Sequence, residues 1–265
     1  MAGPTTAERD ARPQSESGRP RPGGPEGRPR LRAPGRRLMI VLIAAVGLLA
    51  GVIWVLYGSA WLRVQRVSTS GTDVLTRAEV EAAAAVPVGS PLVSVDTDAI
   101  EARLRRKLPR IDSVAVTRSW PHGITLRVSE RTPALLIEKG AEFIELDSGG
   151  VRFATVEKAP AGVPLLRMAA DRSPSLRRFG TDRLVLEAVR VRAELPGKVA
   201  GDTRAVRVRS YDSITLELSG GRTVMWGTGE DGAAKARALT ALMRAVPKAR
   251  HYDVSAPTAP AATGS

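Results

Sequence analysis

The sequence predicts an α+β protein with a single N-terminal transmembrane helix, then a β-α-α-β-β domain, then a mixed, mainly antiparallel β domain with helices. Three observations predict it. Residues 38–62 run 25 positions without a charge. The next stretch of about 70 residues reads strand, helix, helix, strand, strand. Beyond Pro133 the pattern turns to short alternating runs separated by Gly, Asp and Ser. The expected segments are 1–37, a disordered basic arm; 38–62, the span; 63–132 and 133–256, the two folded domains; and 257–265, a disordered tail.

Composition narrows the chemistry. The 265 residues contain no Cys and two His, which removes thiolate zinc sites, disulfides and Cys-His pairs and leaves any Ser-His-Asp triad dependent on His122 or His251. Aromatics are 4%, so the basic surface lacks the stacking side chains of a single-strand nucleic-acid groove. The net charge of +13 is partly local, because residues 1–37 hold nine Arg against four acids, with seven Pro and six Gly. That mixture cannot offset the entropy of ordering itself. As a helix, the uncharged run reaches about 37 Å, enough to cross about 30 Å of hydrocarbon with tilt. A buried soluble helix would show a polar face, and a signal peptide ending near Gly58-Ser59-Ala60 would have a far shorter apolar region. Basic residues crowd the N-terminal flank (Arg21, Arg28, Arg30, Arg32, Arg36 and Arg37), against Arg63, Arg66 and Arg77 beyond the run, so the N-terminus is expected in the cytoplasm and the C-terminus outside.

In the first outer domain, Val64, Val67 and Thr69 suggest a strand ahead of Gly71, and Thr76-x-x-Glu79 has the spacing of a capping box opening a helix over Val80 to Ala85. Asp96 and Asp98 cap a second helix, where Ile100, Leu104 and Leu108 recur every four residues and Pro109 ends it. Val114 and Val116, then Ile124, Leu126 and Val128, alternate on either side of a Pro121-His122-Gly123 turn. This order packs as a three-stranded sheet with two helices on one face.

In the second domain, strands are expected at 134–137 and 143–146 around Lys139-Gly140, at 151–153, 206–209, 214–218 and 223–226, and last at 252–255. A helix from Asp182 to about Glu194 carries Leu184, Val185, Ala188, Val189 and Val191 on its apolar side, and another runs from Ala233 to Val246.

These residues carry a resemblance. Val116-Thr117-Arg118-Ser119-Trp120-Pro121 followed by Val128-Ser129-Glu130-Arg131-Thr132-Pro133 is similar to the R-x-W-P … V-x-E-R-x-P signature of the bacterial cell-division family FtsQ/DivIB, and the first outer domain resembles a POTRA domain. Pro91 and Leu92, within Gly89-Ser90-Pro91-Leu92, and Pro109, within Leu108-Pro109-Arg110-Ile111, match the same pattern. The resemblance covers residues 38–257 and implies a scaffold at the division septum without cofactor or metal. Its implied partner is a small coiled-coil membrane protein of the FtsB/DivIC type, docking at the C-terminal part of the β domain on Tyr252, Asp253, Val254 and Ser255. The terminal strand can be a sheet edge open to strand addition, or an interior strand completing the sheet. The motif residues Pro91, Leu92, Pro109, Arg118, Trp120, Pro121, Glu130, Arg131 and Pro133 are read as architectural.

Other constellations point elsewhere. Gly227-Thr228-Gly229-Glu230-Asp231-Gly232 is a literal G-x-G-x-x-G between a strand and a helix, with Asp253 downstream, yet Glu230 and Asp231 would face a pyrophosphate with negative charge. The acids Glu142 and Glu145 lie within one strand-like segment, and Arg103 to Lys107 form a solvated basic face. A membrane-anchored cell-wall enzyme is the alternative function, and it needs acids or a Ser-His pair converging in a cleft. A translocation component would carry several POTRA units.

Overall fold

The computed structural model describes residues 35–168 and 174–264. The expected basic arm lies outside them except for its last three positions, of which Arg36 and Arg37 begin a helix. The chain divides into two compact units, Met1–Val52 and Ile53–Ser265. Helix α1 (Arg36–Gly58) is the one helix among the described residues long and apolar enough to cross a membrane, and it buries none of its side chains. A fully exposed apolar helix is what lipid, not a soluble core, accommodates. It stops before Leu62 because Ser59 accepts the Trp61 N–H at 3.2 Å and starts a separate 3₁₀ turn, Ala60–Leu62.

The first folded domain has the expected order: β1 (Arg66–Ser70), α2 (Arg77–Ala84), α3 (Thr97–Lys107), β2 (Ile111–Ser119) and β3 (Gly123–Glu130). The sheet runs β1-β3-β2, with β1 parallel and β2 antiparallel to β3. The capping box forms: the Glu79 N–H donates to Thr76 Oγ1 at 3.2 Å and the Thr76 N–H donates to Glu79 Oε2 at 2.8 Å. Asp96 accepts the Ala99 N–H at 2.9 Å and starts α3. Ile100 and Leu104 are buried with Val80, Leu92, Val114, Val116, Ile124, Leu126 and Val128, while Leu108 is only partly covered. Gly71 turns from β1 at φ +80°, where a Cβ would overlap the Val128 carbonyl, so only glycine fits.

The second domain has its own core. It contains β4 (Leu135–Lys139), β5 (Glu142–Leu146), β6 (Arg152–Val156), β7 (Leu165–Met168), α4 (Pro174–Glu194), α5 (Gly197–Asp202), β8 (Thr203–Ser210), β9 (Ser213–Leu218), β10 (Thr223–Gly227), α6 (Gly232–Ala245), β11 (His251–Asp253) and β12 (Ala261–Thr263). The nine strands form one sheet, β12-β11-β10-β9-β8-β7-β4-β5-β6, mixed and mainly antiparallel, with parallel pairing at β10–β11, β7–β8 and β4–β7. Leu184, Val185, Ala188, Val189 and Val191 of α4 are buried against it, beside Leu239 of α6 and the inward residues Val206, Val208, Ile214, Leu216, Val224 and Trp226.

Four features differ from the sequence reading. Strand β7 is short and follows Pro164, and its pairing with β4 and β8 is entirely long-range. Helix α5 begins directly after Pro196, past the helix expected to end at about Glu194, where no further helix was expected. Helix α4 extends back to Pro174 across a break at Gly180, φ +72°. Most consequential, residues 257–265 are not uniformly free: β12 pairs antiparallel with β11, Tyr252 opposite Ala262. An Ala/Pro/Thr segment has no apolar periodicity, and only the open backbone of β11 gives it a partner.

Candidate functional site

Two groups of residues bear on function: the motif residues of the first folded domain and the C-terminal strands. The motif residues separate to the two ends of the domain. At one end, Arg118 on β2 donates from Nε to the Leu92 carbonyl at 3.1 Å and from a terminal nitrogen to the Val95 carbonyl at 2.6 Å, fixing the loop that begins at Pro91. Leu92 is fully buried. Trp120 and Pro121 form the β2–β3 hairpin through a cis peptide bond, and the indole is exposed. At the other end, the Glu130 carboxylate accepts the N–H groups of Asp73 at 2.8 Å, Val74 at 3.2 Å and Leu75 at 3.0 Å. Arg131 donates to the Pro109 carbonyl at 3.2 Å, meets Asp112 at 3.2 Å and pairs with Asp147 of the second domain. Asp147 also accepts the N–H groups of Gly149 and Val151, each at 2.8 Å. Beside it, Arg110 pairs with buried Glu145 on β5 and lies over the Phe153 ring at 5.2 Å. Pro133 leads into β4, where the Ala134 N–H donates to the Leu146 carbonyl at 2.7 Å. Through these contacts the Arg118, Glu130 and Arg131 side chains hold two loops and the junction between the domains, while the Trp120 indole stays exposed.

The C-terminal expectation changes more. Tyr252 is 1% exposed, with its hydroxyl donating to the Val246 carbonyl at 2.9 Å, and Val254 is fully buried. Both side chains belong to the core of the second domain. Asp253 and Ser255 are exposed, but the Asp253 carboxylate accepts the Ser255 N–H at 2.9 Å and its hydroxyl at 2.7 Å, a local turn. Strand β11 is interior, between β10 and β12, so the edge at this end of the sheet belongs to β12, and the other edge is β6. A groove of about 320 Å³ runs along these strands, lined by Thr215, Thr223, Met225, His251, Tyr252, Asp253, Ala261 and Thr263. The only sequence signal for β12 was Ala261-Ala262-Thr263 following Pro260, too weak to identify a strand without its partner.

The glycine-rich loop has a packing explanation. A Cβ at Gly229 would overlap the carboxylate of Glu187, and one at Gly232 that of Glu194, both from α4. The space a pyrophosphate would occupy therefore borders four acids, these two with Glu230 and Asp231. Lys235 reaches back under the loop to the Thr228 carbonyl at 2.9 Å, and burial pushes its ammonium below the usual lysine range against the opposing pull of Asp231, Glu230 and Glu194. The remaining candidates sit apart. Asp96 is a helix cap, Glu142 is exposed while Glu145 is tied to Arg110, and His122 and His251 lie on different domains. Among the described residues no group of three His, Cys, Asp or Glu converges as a metal site.

Residues 62–131 match the POTRA domain, FtsQ-type. Cell division protein FtsQ of Streptomyces coelicolor is 64% identical over 270 residues, covering all of both chains. The protein of the same description from Streptomyces venezuelae is 61% identical over 271 residues, all of this chain and 99% of that one. This chain belongs to the FtsQ family. Similarity extends to FtsQ of Mycobacteroides abscessus, 34% identical over 224 residues, 84% of this chain and 68% of that one. The solved extracytoplasmic domain of DivIB from Geobacillus stearothermophilus overlaps 45% of this chain and 96% of that chain at 21% identity and a TM-score of 0.32, too distant for its geometry to be transferred. The FtsQ-type POTRA match ends at Arg131, the residue whose guanidinium crosses to Asp147 in the next domain.

Proposed function

We propose that this FtsQ-family protein is a bitopic, non-enzymatic scaffold of the divisome, working through binding surfaces and not through turnover. In this reading α1 spans the cytoplasmic membrane with the Arg-rich N-terminus inside, and the POTRA and β domains lie outside at the division septum. The partner is a coiled-coil membrane protein of the FtsB/DivIC type. It adds a strand along β12, whose outer side has no neighbouring strand among the described residues. That C-terminal edge carries the reading. Tyr252 and Val254 support it from beneath by anchoring β11, while Asp253 and His251 border the groove that receives alternate side chains of the added strand. Ser255 closes the turn after β11.

Truncation after Ala259 removes β12 and leaves Tyr252 and Val254 in the core. The expected result is loss of the FtsB/DivIC-type partner from membrane pull-downs with retained insertion of the chain. Partner recovery equal to that of the full chain would refute the β12 site. A fluorescent fusion of the full chain that stays evenly spread over the membrane during septation would refute the divisome role itself.

A further inference from the structure

We propose that the span-proximal end of the POTRA domain docks on the lipid surface through Trp61, Val88 and Trp120, holding the domain against the bilayer. The inference rests on the reading of α1 as a membrane span. The chain that leaves the apolar run is gripped at once by two loops. The Val64 N–H donates to the Ser90 carbonyl at 2.9 Å, the Gly89 N–H to the Val64 carbonyl at 2.8 Å, and the Arg63 guanidinium to the Gly89 carbonyl at 3.0 Å. On the other side, the N–H groups of Gln65 and Arg66 share the His122 carbonyl at 2.9 and 3.3 Å. Residues 86–91 and the hairpin at 119–123 are thereby fixed within a few residues of Leu62, the last apolar position of the run.

The tips of both loops are apolar and uncovered. Val88 is 66% exposed, Trp120 is 54% exposed, and Trp61 is 70% exposed. An isolated exposed apolar side chain on a soluble domain calls for no explanation, but three at the point where the chain leaves a membrane form a surface that water disfavours. Indole rings favour the headgroup layer, where the ring meets acyl carbon and the N–H meets water or phosphate. Arg63 and Arg66, both exposed, flank the same end and suit anionic headgroups. Continuity with the span selects lipid over a protein as occupant. Any bilayer holding residues 38–62 already lies beside these loops.

The opposite end of the domain supplies the contrast. Val74 is also 66% exposed, but its N–H binds Glu130 at the far end of β3. That strand is eight residues, about 26 Å of extended chain. The chain has no Cys, so single-cysteine variants of the full protein label uniquely. Leu48→Cys, Val74→Cys and Val88→Cys carry a nitroxide in liposomes of mixed zwitterionic and anionic lipid. Collisions with oxygen and with a water-soluble nickel chelate report depth. The expected result is a several-fold lower nickel accessibility at 88 than at 74, reversed toward the 74 value when Trp120→Ser is added. Equal accessibility at 88 and 74, with Leu48→Cys shielded in lipid, would overturn the docking and leave the anchor intact. Water-like accessibility at position 48 would overturn the anchor reading instead. Quenching of a fluorescence component by headgroup-proximal brominated lipid, removed by Trp120→Phe, gives an independent second readout; its absence counts against docking.

Discussion

Glu130 shows how one side chain can hold a loop. Its carboxylate gathers three successive N–H groups from residues 73–75, donors that precede α2 and have no strand or helix partner. A carboxylate with three backbone donors is an anion site closed within the chain. Glu130→Ala is expected to cost about 1–3 kcal/mol, and Glu130→Gln less because one acceptor oxygen remains. Urea unfolding of the full chain in detergent measures both; an alanine variant as stable as the parent would mean that water replaces the carboxylate at no cost. Tyr252 teaches the complementary lesson. The family resemblance implied a contact residue there, whereas its ring fills the core and its hydroxyl satisfies the Val246 carbonyl at the end of α6.

At the scale of elements, the capping box at α2 makes a pH-dependent prediction. Hydrogen bonds from the Thr76 N–H, and then from its hydroxyl, hold the Glu79 carboxyl below its ordinary value of 4.5. A carboxyl lowered in the folded state contributes stability that is fully present above its unfolded value and lost as pH falls through the folded one. The stability gap between the parent and Glu79→Gln should therefore hold constant above about pH 5 and close at lower pH. Thr76→Ala should cost about 1 kcal/mol at neutral pH. Thermal unfolding across pH 3 to 7 checks both, and a gap unchanged at pH 3 would contradict the assignment. Elements of this kind, with caps and a 3.6-residue period, were legible: α2, α3 and the buried face of α4 all follow from local pattern. Strands β7 and β12 were not, since four and three residues carry no usable period and their existence depends on distant backbone.

At the scale of the molecule, the POTRA and β domains have separate cores, and the ion pairs Arg110–Glu145 and Arg131–Asp147 cross between them. The Glu145 side chain is 3% exposed, so removing Arg110 leaves a buried charge unpaired. Arg110→Ala is expected to cost about 3–5 kcal/mol, while the double variant Arg110→Met/Glu145→Leu should recover most of it. Calorimetry should show the two domains melting apart in the single variant and together in the parent. A single variant that melts like the parent would mean that the backbone connection alone couples the domains.

The sequence by itself determined the apolar span, the β-α-α-β-β order, the caps and the motif that marks the family, because each is written in neighbouring residues through charge, period or capping chemistry. Only the tertiary structure decided which strand closes the sheet, which motif residues bridge the domains and which apolar tips gather where the chain leaves the run. Those properties depend on backbone groups and side chains far apart in the chain, which become neighbours only when the sheet is assembled.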